Sequence, residues 1–105
     1  MTLTELTEAM HAFVRAKGWY DPDSAKPQTM RNLAISLSLE AAEVLEHFQW
    51  RDTPPAEIDD RAREALGAEL ADVALYLLQL ASIVGIDLER AILDKLDANY
   101  RRTWK

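Results

Sequence analysis

The fold of this chain is decided by residues 71–84, which read Ala-Asp-Val-Ala-Leu-Tyr-Leu-Leu-Gln-Leu-Ala-Ser-Ile-Val. Apolar residues recur there at helical spacing, and one stripe along the predicted helix consists of Val73, Leu77, Leu80 and Val84. Leu75 and Leu78 point away from that stripe, so the helix is apolar nearly all round and must be covered nearly all round. Three other short helices would cover it poorly within one subunit. We therefore expect a homo-oligomer, most simply a dimer that uses this helix.

Glycine and proline positions divide the rest of the chain into helices and loops. The four predicted helices cover residues 2–17, about 29–50, a stretch that starts between 56 and 61 and ends at 85, and 88 to about 102. Gly18 and Gly85 are typical stop residues for the first and third helices, and Asp87 suits the N-cap of the fourth. Because no segment alternates like a strand, the predicted fold class is all-α, with the four helices in a bundle.

Composition narrows the chemistry that the chain can perform. It has 105 residues, 12 basic and 18 acidic side chains, a formal net charge of -6 and no cysteine. This length predicts a single domain over residues 1–105, and the acidic balance argues against binding to nucleic-acid polymers. Without cysteine there is no disulfide or thiolate metal site, and His11 and His47 are too few for a multi-histidine zinc centre. We interpret His11 as a surface residue, so a metal would have to be held by carboxylates.

Nothing in the sequence predicts targeting or membrane insertion. The N-terminal segment lacks a basic leader followed by an apolar run, unlike a signal peptide. The longest apolar run, near residues 73–86, contains Tyr76, Gln79 and Ser82 and is shorter than the ~20 residues that a membrane span needs. We therefore expect a soluble, cytoplasmic protein with no membrane partner.

Two acid pairs border the apolar stripes of the second and third helices. Glu40 and Glu43 are three residues apart on the second helix. Glu69 and Asp72 have the same spacing on the third, so each pair lies on one side of its helix. If the helices pack antiparallel through their stripes, the four carboxylates converge and need a compensating charge, which suits Mg²⁺ with its oxygen ligands. The alternative is that these acids are solvated surface residues, but two pairs on neighbouring helices that both border the core favour a site.

These acids belong to an ordered set of motifs along most of the chain. The set consists of Leu39-Glu40-Ala41-Ala42-Glu43, Phe48-Gln49-Trp50, Glu69-Leu70-Ala71-Asp72-Val73 and Lys95-Leu96-Asp97-Ala98-Asn99. It resembles the MazG-like, all-α nucleoside triphosphate pyrophosphohydrolases, most closely their dCTP pyrophosphatase branch. The resemblance implies hydrolysis of dCTP or a related pyrimidine deoxynucleoside triphosphate to the monophosphate and pyrophosphate. It also implies a homodimer or homotetramer with sites near the subunit interfaces.

The resemblance further implies which residues carry the chemistry. The metal ligands and catalytic acids that match the family are Glu40, Glu43, Glu69 and Asp72. The implied ion is Mg²⁺, with Mn²⁺ as a substitute. A metal held in this way would bind the triphosphate, polarise the α-phosphoryl group and orient a water for in-line attack. No Ser, Cys or Lys nucleophile is needed.

Basic and aromatic residues supply the candidates for binding the rest of the nucleotide. Lys95 and Arg102 lie with Asn99 on one face of the fourth helix and suit phosphate oxygens. Basic residues at a helix C-terminus also interact favourably with the helix dipole, which is the alternative reading. Arg31 is a third phosphate-binding candidate, and Trp19 offers a stacking surface. The resemblance places three residues in the base pocket: Trp50, Tyr76 and Asn99.

The segment before the second helix departs from the dCTP branch. Relatives carry His-x-Pro-(Lys/Arg)-Asn-Leu there, whereas this chain reads Gln28-Thr29-Met30-Arg31-Asn32-Leu33 after a longer loop over residues 19–28. Base preference therefore stays open, with dUTP or a non-standard triphosphate as alternatives for the same chemistry. A non-enzymatic helical dimerisation or regulatory module, with the acids as surface decoration, is the other alternative. Nucleotide pool sanitation and nucleotide signalling would both suit the enzyme.

Overall fold

Four α-helices make up most of the chain in a computed structural model that describes residues 1–104. They are α1 (Leu3–Ala16), α2 (Met30–Glu46), α3 (Asp60–Val84) and α4 (Leu88–Arg101). A short 3-10 helix, Pro55–Glu57, precedes α3. The described residues contain no strand, which confirms the prediction of an all-α fold with four helices.

Each α-helix begins at a residue whose side chain caps it. The capping side chains belong to Thr2, Thr29, Asp59 and Asp87, and each accepts a hydrogen bond from the backbone N–H three residues further on. These bonds satisfy donors that the first helical turn leaves unpaired. α3 ends at Gly85, whose φ of 84° lies in the left-handed region that glycine adopts without strain. The predicted cap at Asp87 and stop at Gly85 are both confirmed.

The second helix is shorter than its pattern predicted. α2 ends at Glu46 rather than Trp50. The next three backbone N–H groups, those of residues 47–49, donate to carbonyls three residues back. Hydrogen bonds of that span tighten the backbone into turns and end the α-helical repeat. Trp50 therefore leaves the helix face on which the pattern placed it, and its side chain is 86% exposed.

α3 lies at the centre of the bundle. Its most extensive contact is with α2, a smaller one is with α1, and α4 touches it only sparsely. The buried apolar side chains come from α1, α2 and α3: Met10, Val14, Leu33, Leu78 and Ala81. The pattern placed Leu78 away from the core stripe, yet it is buried because α1 covers that side of α3. Leu77 and Val84, which the pattern placed on the stripe, are exposed instead.

By length and composition alone, α3 is also long and apolar enough to cross a membrane. That length exceeds the sequence-based expectation, which counted only residues 73–86. Within the fold, 17% of the most apolar stretch of α3 is buried. One helix of this kind is weak evidence for a membrane, because the core helix of a water-soluble protein can meet the same criteria of length and composition. Acids within the helix, Glu69 and Asp72 among them, are costly in lipid.

Candidate metal centre and adjoining cavities

Three carboxylates meet where α2 packs on α3. One oxygen from each of Glu40, Glu43 and Glu69 lies within 4.8 Å of the others. The i,i+3 spacing puts the first two on one side of α2, and the packing of α3 on α2 brings Glu69 opposite them. Three of the four acids that the sequence predicted to converge therefore do so. We refer to these three residues as the carboxylate cluster.

Ionisation of the carboxyl groups in the carboxylate cluster is unfavourable, and two of their pKa values are raised. Burial raises the pKa of Glu40 above its ordinary value, and hydrogen bonding with Glu43 and the neighbouring negative charges raise it further. For Glu69, hydrogen bonding with Glu43 is the largest cause of a raised pKa, followed by burial and the nearby acids, while His47 acts in the opposite direction. Asp72 lies outside the cluster, but its charge contributes to both shifts. Both shifts favour the protonated carboxyl, so a compensating cation would be favourable here.

The cluster has the donor set that a hard divalent cation requires. Glu40 Oε2 and Glu69 Oε2 are buried and have no hydrogen-bond partner, an arrangement that is costly unless a cation or a proton satisfies them. Oxygens bound to one Mg²⁺ at about 2.1 Å lie at most about 4.2 Å apart. The observed spacing within 4.8 Å therefore needs only a small contraction. The residues fit an ion of the magnesium type, and an all-oxygen donor set disfavours a softer metal.

Asp72, beside the carboxylate cluster, lines a cavity between α1, α3 and the loop over residues 19–28. This cavity has a volume of about 460 Å³ and mostly apolar walls, which include Trp19, Gln28 and Tyr76. A second cavity of about 410 Å³ lies on the α2 side of the loop and shares those three residues. Two of the predicted base-binding residues, Trp19 and Tyr76, are therefore brought together in a cavity that Asp72 also lines.

A hydrogen-bond network that the sequence did not indicate holds this loop against α1 and α3. Gln79 Nε2 donates to Tyr20 Oη at 3.2 Å and to Gln28 Oε1 at 2.8 Å. His11 bonds Tyr20 Oη through Nδ1 at 2.6 Å and Ser82 Oγ through Nε2 at 2.7 Å. The interpretation of His11 as a surface residue was wrong, because the loop folds back over α1 and half buries the ring. The available signal was Gln79, a polar residue within the apolar stretch of α3.

Comparison with known proteins places this arrangement in a family. The model of the MazG-like family matches residues 35–104, more than half of the chain. This chain belongs to the MazG-like family. It is 43% identical over 75 residues to dCTP pyrophosphatase 1 of Homo sapiens and 41% identical over 75 residues to that of Bos taurus. Each match covers 69% of this chain and 44% of the relative, so the chain matches less than half the length of these relatives.

Two further similarities concern a more distant relative and a solved structure. A dATP/dGTP diphosphohydrolase of Salmonella phage PMBT28 is 42% identical over 50 residues, which cover 48% of this chain and 17% of the phage protein. The crystal structure of a pyrophosphatase from Archaeoglobus fulgidus superposes with a TM-score of 0.79 at 35% sequence identity. That superposition covers 97% of this chain and 92% of the archaeal one. The MazG-like helical fold therefore extends over nearly the whole length of both chains.

Two of the predicted binding residues of this MazG-like chain lie on α2 or directly after it. Trp50 lines a cleft beyond the end of α2, together with His47 and Arg51. That cleft shares no lining residue with the two cavities on either side of Trp19 and Tyr76. Arg31 is exposed in the first turn of α2. Within one subunit, the structure thus separates Trp50 from the other predicted stacking residues.

The three candidates on and after α4 lie apart from the carboxylate cluster within one subunit. Asn99 is half-buried, and its backbone carbonyl accepts a hydrogen bond from Trp104 Nε1 at 3.2 Å. The guanidinium of Arg102 lies over the Trp104 ring, 4.2 Å from its centre. Among residues 1–104, Lys95 and Arg102 form no ion pair with the cluster. Over residues 1–104, α4 packs on α3 only sparsely and its basic side chains pair with no acid of the cluster, so one subunit does not bring them to those carboxylates.

Proposed function

We propose that this chain hydrolyses a deoxynucleoside triphosphate, preferring dCTP or a related pyrimidine nucleotide, to the monophosphate and pyrophosphate. The observation that carries this proposal is the carboxylate cluster, with two buried oxygens that lack partners, beside a cavity with aromatic walls. The matches to dCTP pyrophosphatases and to the archaeal pyrophosphatase support the same class of reaction. In this proposal the chain is a single MazG-like domain that acts in the cytoplasm. Its role there is to remove unwanted nucleotides from the nucleotide pool.

The ion in this proposal is Mg²⁺, with Mn²⁺ as a substitute, held by Glu40, Glu43, Glu69 and Asp72. Glu40 and Glu69 offer the two oxygens without partners, and Glu43 has an oxygen within 4.8 Å of an oxygen of each. Asp72 extends the set toward the cavity. When bound, Mg²⁺ supplies positive charge that the triphosphate and its α-phosphoryl group require. The carboxylates accept hydrogen bonds from the attacking water and so orient it for in-line displacement.

The nucleobase in this proposal occupies the cavity beside Asp72. Trp19 and Tyr76 line that cavity and would hold a base by stacking, while its apolar walls exclude water. The remaining binding residues of the proposal are Arg31, Lys95 and Arg102 for phosphate, and Trp50 and Asn99 for the base. Basic side chains suit phosphate because they form charge-assisted hydrogen bonds with its oxygens.

We further propose a homodimer or homotetramer, because within residues 1–104 of one subunit Lys95 and Arg102 pair with no acid of the carboxylate cluster. α4 carries four large aliphatic or aromatic residues that are 45% to 89% exposed: Ile92, Leu93, Leu96 and Tyr100. Removing such surface from water is favourable by about 25 cal/mol per Å². In this proposal a second copy covers that surface and places its own cluster beside the basic residues of α4. Light scattering at micromolar concentration should give an oligomeric mass, and a monomer would contradict this part of the proposal.

A panel of deoxynucleoside triphosphates with pyrophosphate detection, run with Mg²⁺ and with EDTA, tests the reaction. The wild type should release pyrophosphate only with the ion, and the panel ranks dCTP against dUTP and non-standard triphosphates. Glu43→Gln and Asp72→Asn should lose that turnover. Glu64→Gln is the matched control, because Glu64 is an exposed acid on α3 outside the cluster. A wild type without pyrophosphate release and without stabilisation by Mg²⁺ would favour the non-enzymatic helical module.

A further inference from the structure

The buried polar side chain of α3, Gln79, makes two directed hydrogen bonds. It is 3% exposed, and its amide nitrogen donates to Tyr20 Oη and to Gln28 Oε1. A side-chain amide carries two N–H groups, so both donors are used. Because a buried donor without a partner is costly, these bonds hold the loop over residues 19–28 on α3.

The direction of the Gln28 amide is set from both ends. Its nitrogen donates to the backbone carbonyl of Lys26 at 2.7 Å, and its oxygen accepts from Gln79 at 2.8 Å. A backbone carbonyl can only accept. A rotated Gln28 amide would therefore place oxygen against oxygen at Lys26 and nitrogen against nitrogen at Gln79. Gln28 therefore keeps one N–H donor and one carbonyl lone pair for a ligand, and the positions of this donor and this acceptor are fixed.

Gln28 carries that amide on the wall common to the two cavities. Trp19 and Tyr76 line both cavities with it, and Asp72 lines the larger one. Aromatic walls with an amide suit a flat heteroaromatic ring that forms hydrogen bonds through its edge. A phosphate fits poorly there, since the carboxylate of Asp72 repels an anion.

We propose that Gln28 reads the edge of the nucleobase, and that Gln79 is the positioning residue that, together with the Lys26 carbonyl, sets which end of the Gln28 amide meets which end of the base. This inference rests on the proposed function and adds a specificity-determining residue to it. Cytosine presents an acceptor at N3 beside the donor of its 4-amino group, and uracil presents the reverse order. An amide of set direction pairs with one order and opposes the other. Well-placed bidentate contacts of this kind discriminate between bases by about 10- to 100-fold.

The test measures discrimination between dCTP and dUTP in the wild type, Gln28→Met, Gln79→Met and Tyr20→Phe. Methionine keeps the length of the side chain and removes the amide. The two readouts are the ratio of kcat/KM for the nucleotides, and the ratio of Kd for their non-hydrolysable α,β-imido analogues with Mg²⁺. A ratio measured on one preparation cancels the folded fraction, so partial unfolding of a variant does not change it. Gln28→Met, a substitution on the loop, keeps the test decisive if Gln79→Met does not fold.

Both methionine variants should lower the discrimination ratios by about tenfold or more. Tyr20→Phe is the control, because it removes the hydrogen bonds of the Tyr20 hydroxyl to Gln79 and His11 but keeps the bond from Gln79 to Gln28, so its ratios should equal those of the wild type. Unchanged ratios in Gln28→Met, or an active wild type that does not distinguish the bases, would overturn the inference and leave the proposed hydrolysis intact. A wild type that binds one analogue selectively but releases no pyrophosphate would overturn the hydrolysis alone, and one that binds neither analogue would overturn both.

Discussion

Neutralising Glu43 should stabilise the protein in the absence of metal and weaken its stabilisation by Mg²⁺. Glu43 contributes to the raised pKa of both Glu40 and Glu69. A raised carboxyl pKa means that the folded state binds a proton more tightly than the unfolded chain. The free energy of unfolding therefore falls as the pH rises above 4.5, the ordinary value for glutamate. Glu43→Gln removes a shared cause of this loss, and it also removes a ligand.

The distances in the cluster set the size of the effect. Two unit charges 4.8 Å apart repel by about 0.9 kcal/mol in water, and solvent-screened pairs amount to about 0.2–1 kcal/mol. In a domain of this size, 1 kcal/mol of stability corresponds to about 4–8 °C in Tm. Removing the repulsion between Glu43 and Glu40 by Glu43→Gln should therefore raise the metal-free Tm by about 1–8 °C. An ion at about 100 times its Kd stabilises the native state by about 2.7 kcal/mol, or about 10–20 °C.

Thermal unfolding at neutral pH, in EDTA and across a Mg²⁺ titration, measures both effects. We expect Glu43→Gln to melt above the wild type in EDTA and to gain much less from Mg²⁺. Glu64→Gln should match the wild type in both conditions, because its side chain is exposed and lies outside the cluster. A lower Tm for Glu43→Gln in EDTA would refute the argument from repulsion. A Mg²⁺ shift as large as that of the wild type would refute the argument that Glu43 is a ligand.

Three further predictions concern stability, each measured by urea-induced unfolding. Burial, followed by the charge of Arg15, lowers the pKa of His11, so the unfolded chain takes up a proton first as the pH falls through 6.5 and the free energy of unfolding declines. His11→Gln should flatten that decline, and an unchanged pH dependence would contradict the assignment. Gly85→Ala should cost about 1–2 kcal/mol because its φ is positive. Gly67→Ala should instead stabilise α3 by about 0.5–1 kcal/mol, because a Cβ there meets nothing within 4 Å. Equal changes in the free energy of unfolding at the two glycines would contradict the argument from backbone conformation. Leu33→Ala should cost about 2–5 kcal/mol, because Leu33 is 2% exposed, and a variant as stable as the wild type would contradict its place in the core.

Helix positions were predictable because they depend on residues within one or two turns. The carboxylate of Asp87 reaches the N–H of Arg90, and Gly85 allows the left-handed residue that ends α3. Neither feature requires a contact from elsewhere in the chain. The spacing within each acid pair is local in the same sense, so the side of α2 that carries Glu40 and Glu43 followed from sequence.

The errors concern features that depend on a distant part of the chain. The apolar pattern continued to Trp50, but the backbone tightens after Glu46 as the chain turns toward α3. The pattern also assigned Leu77 to the core and Leu78 to the far side. The single stripe in the pattern predicted one partner helix for α3. In the structure, α1 covers a second side of α3 and buries Leu78.

The sequence by itself determined four helices, their caps, and two acid pairs that each lie on one side of a helix. Only the tertiary structure decided that Glu69 joins the acids of α2 while Asp72 lines the cavity. Only the tertiary structure brought Gln79 to Gln28, 51 residues away in the chain. Local periodicity specifies which residues share a helix face. The distance between two faces depends on how the helices cross and where the loop folds, and packing over the whole chain sets both.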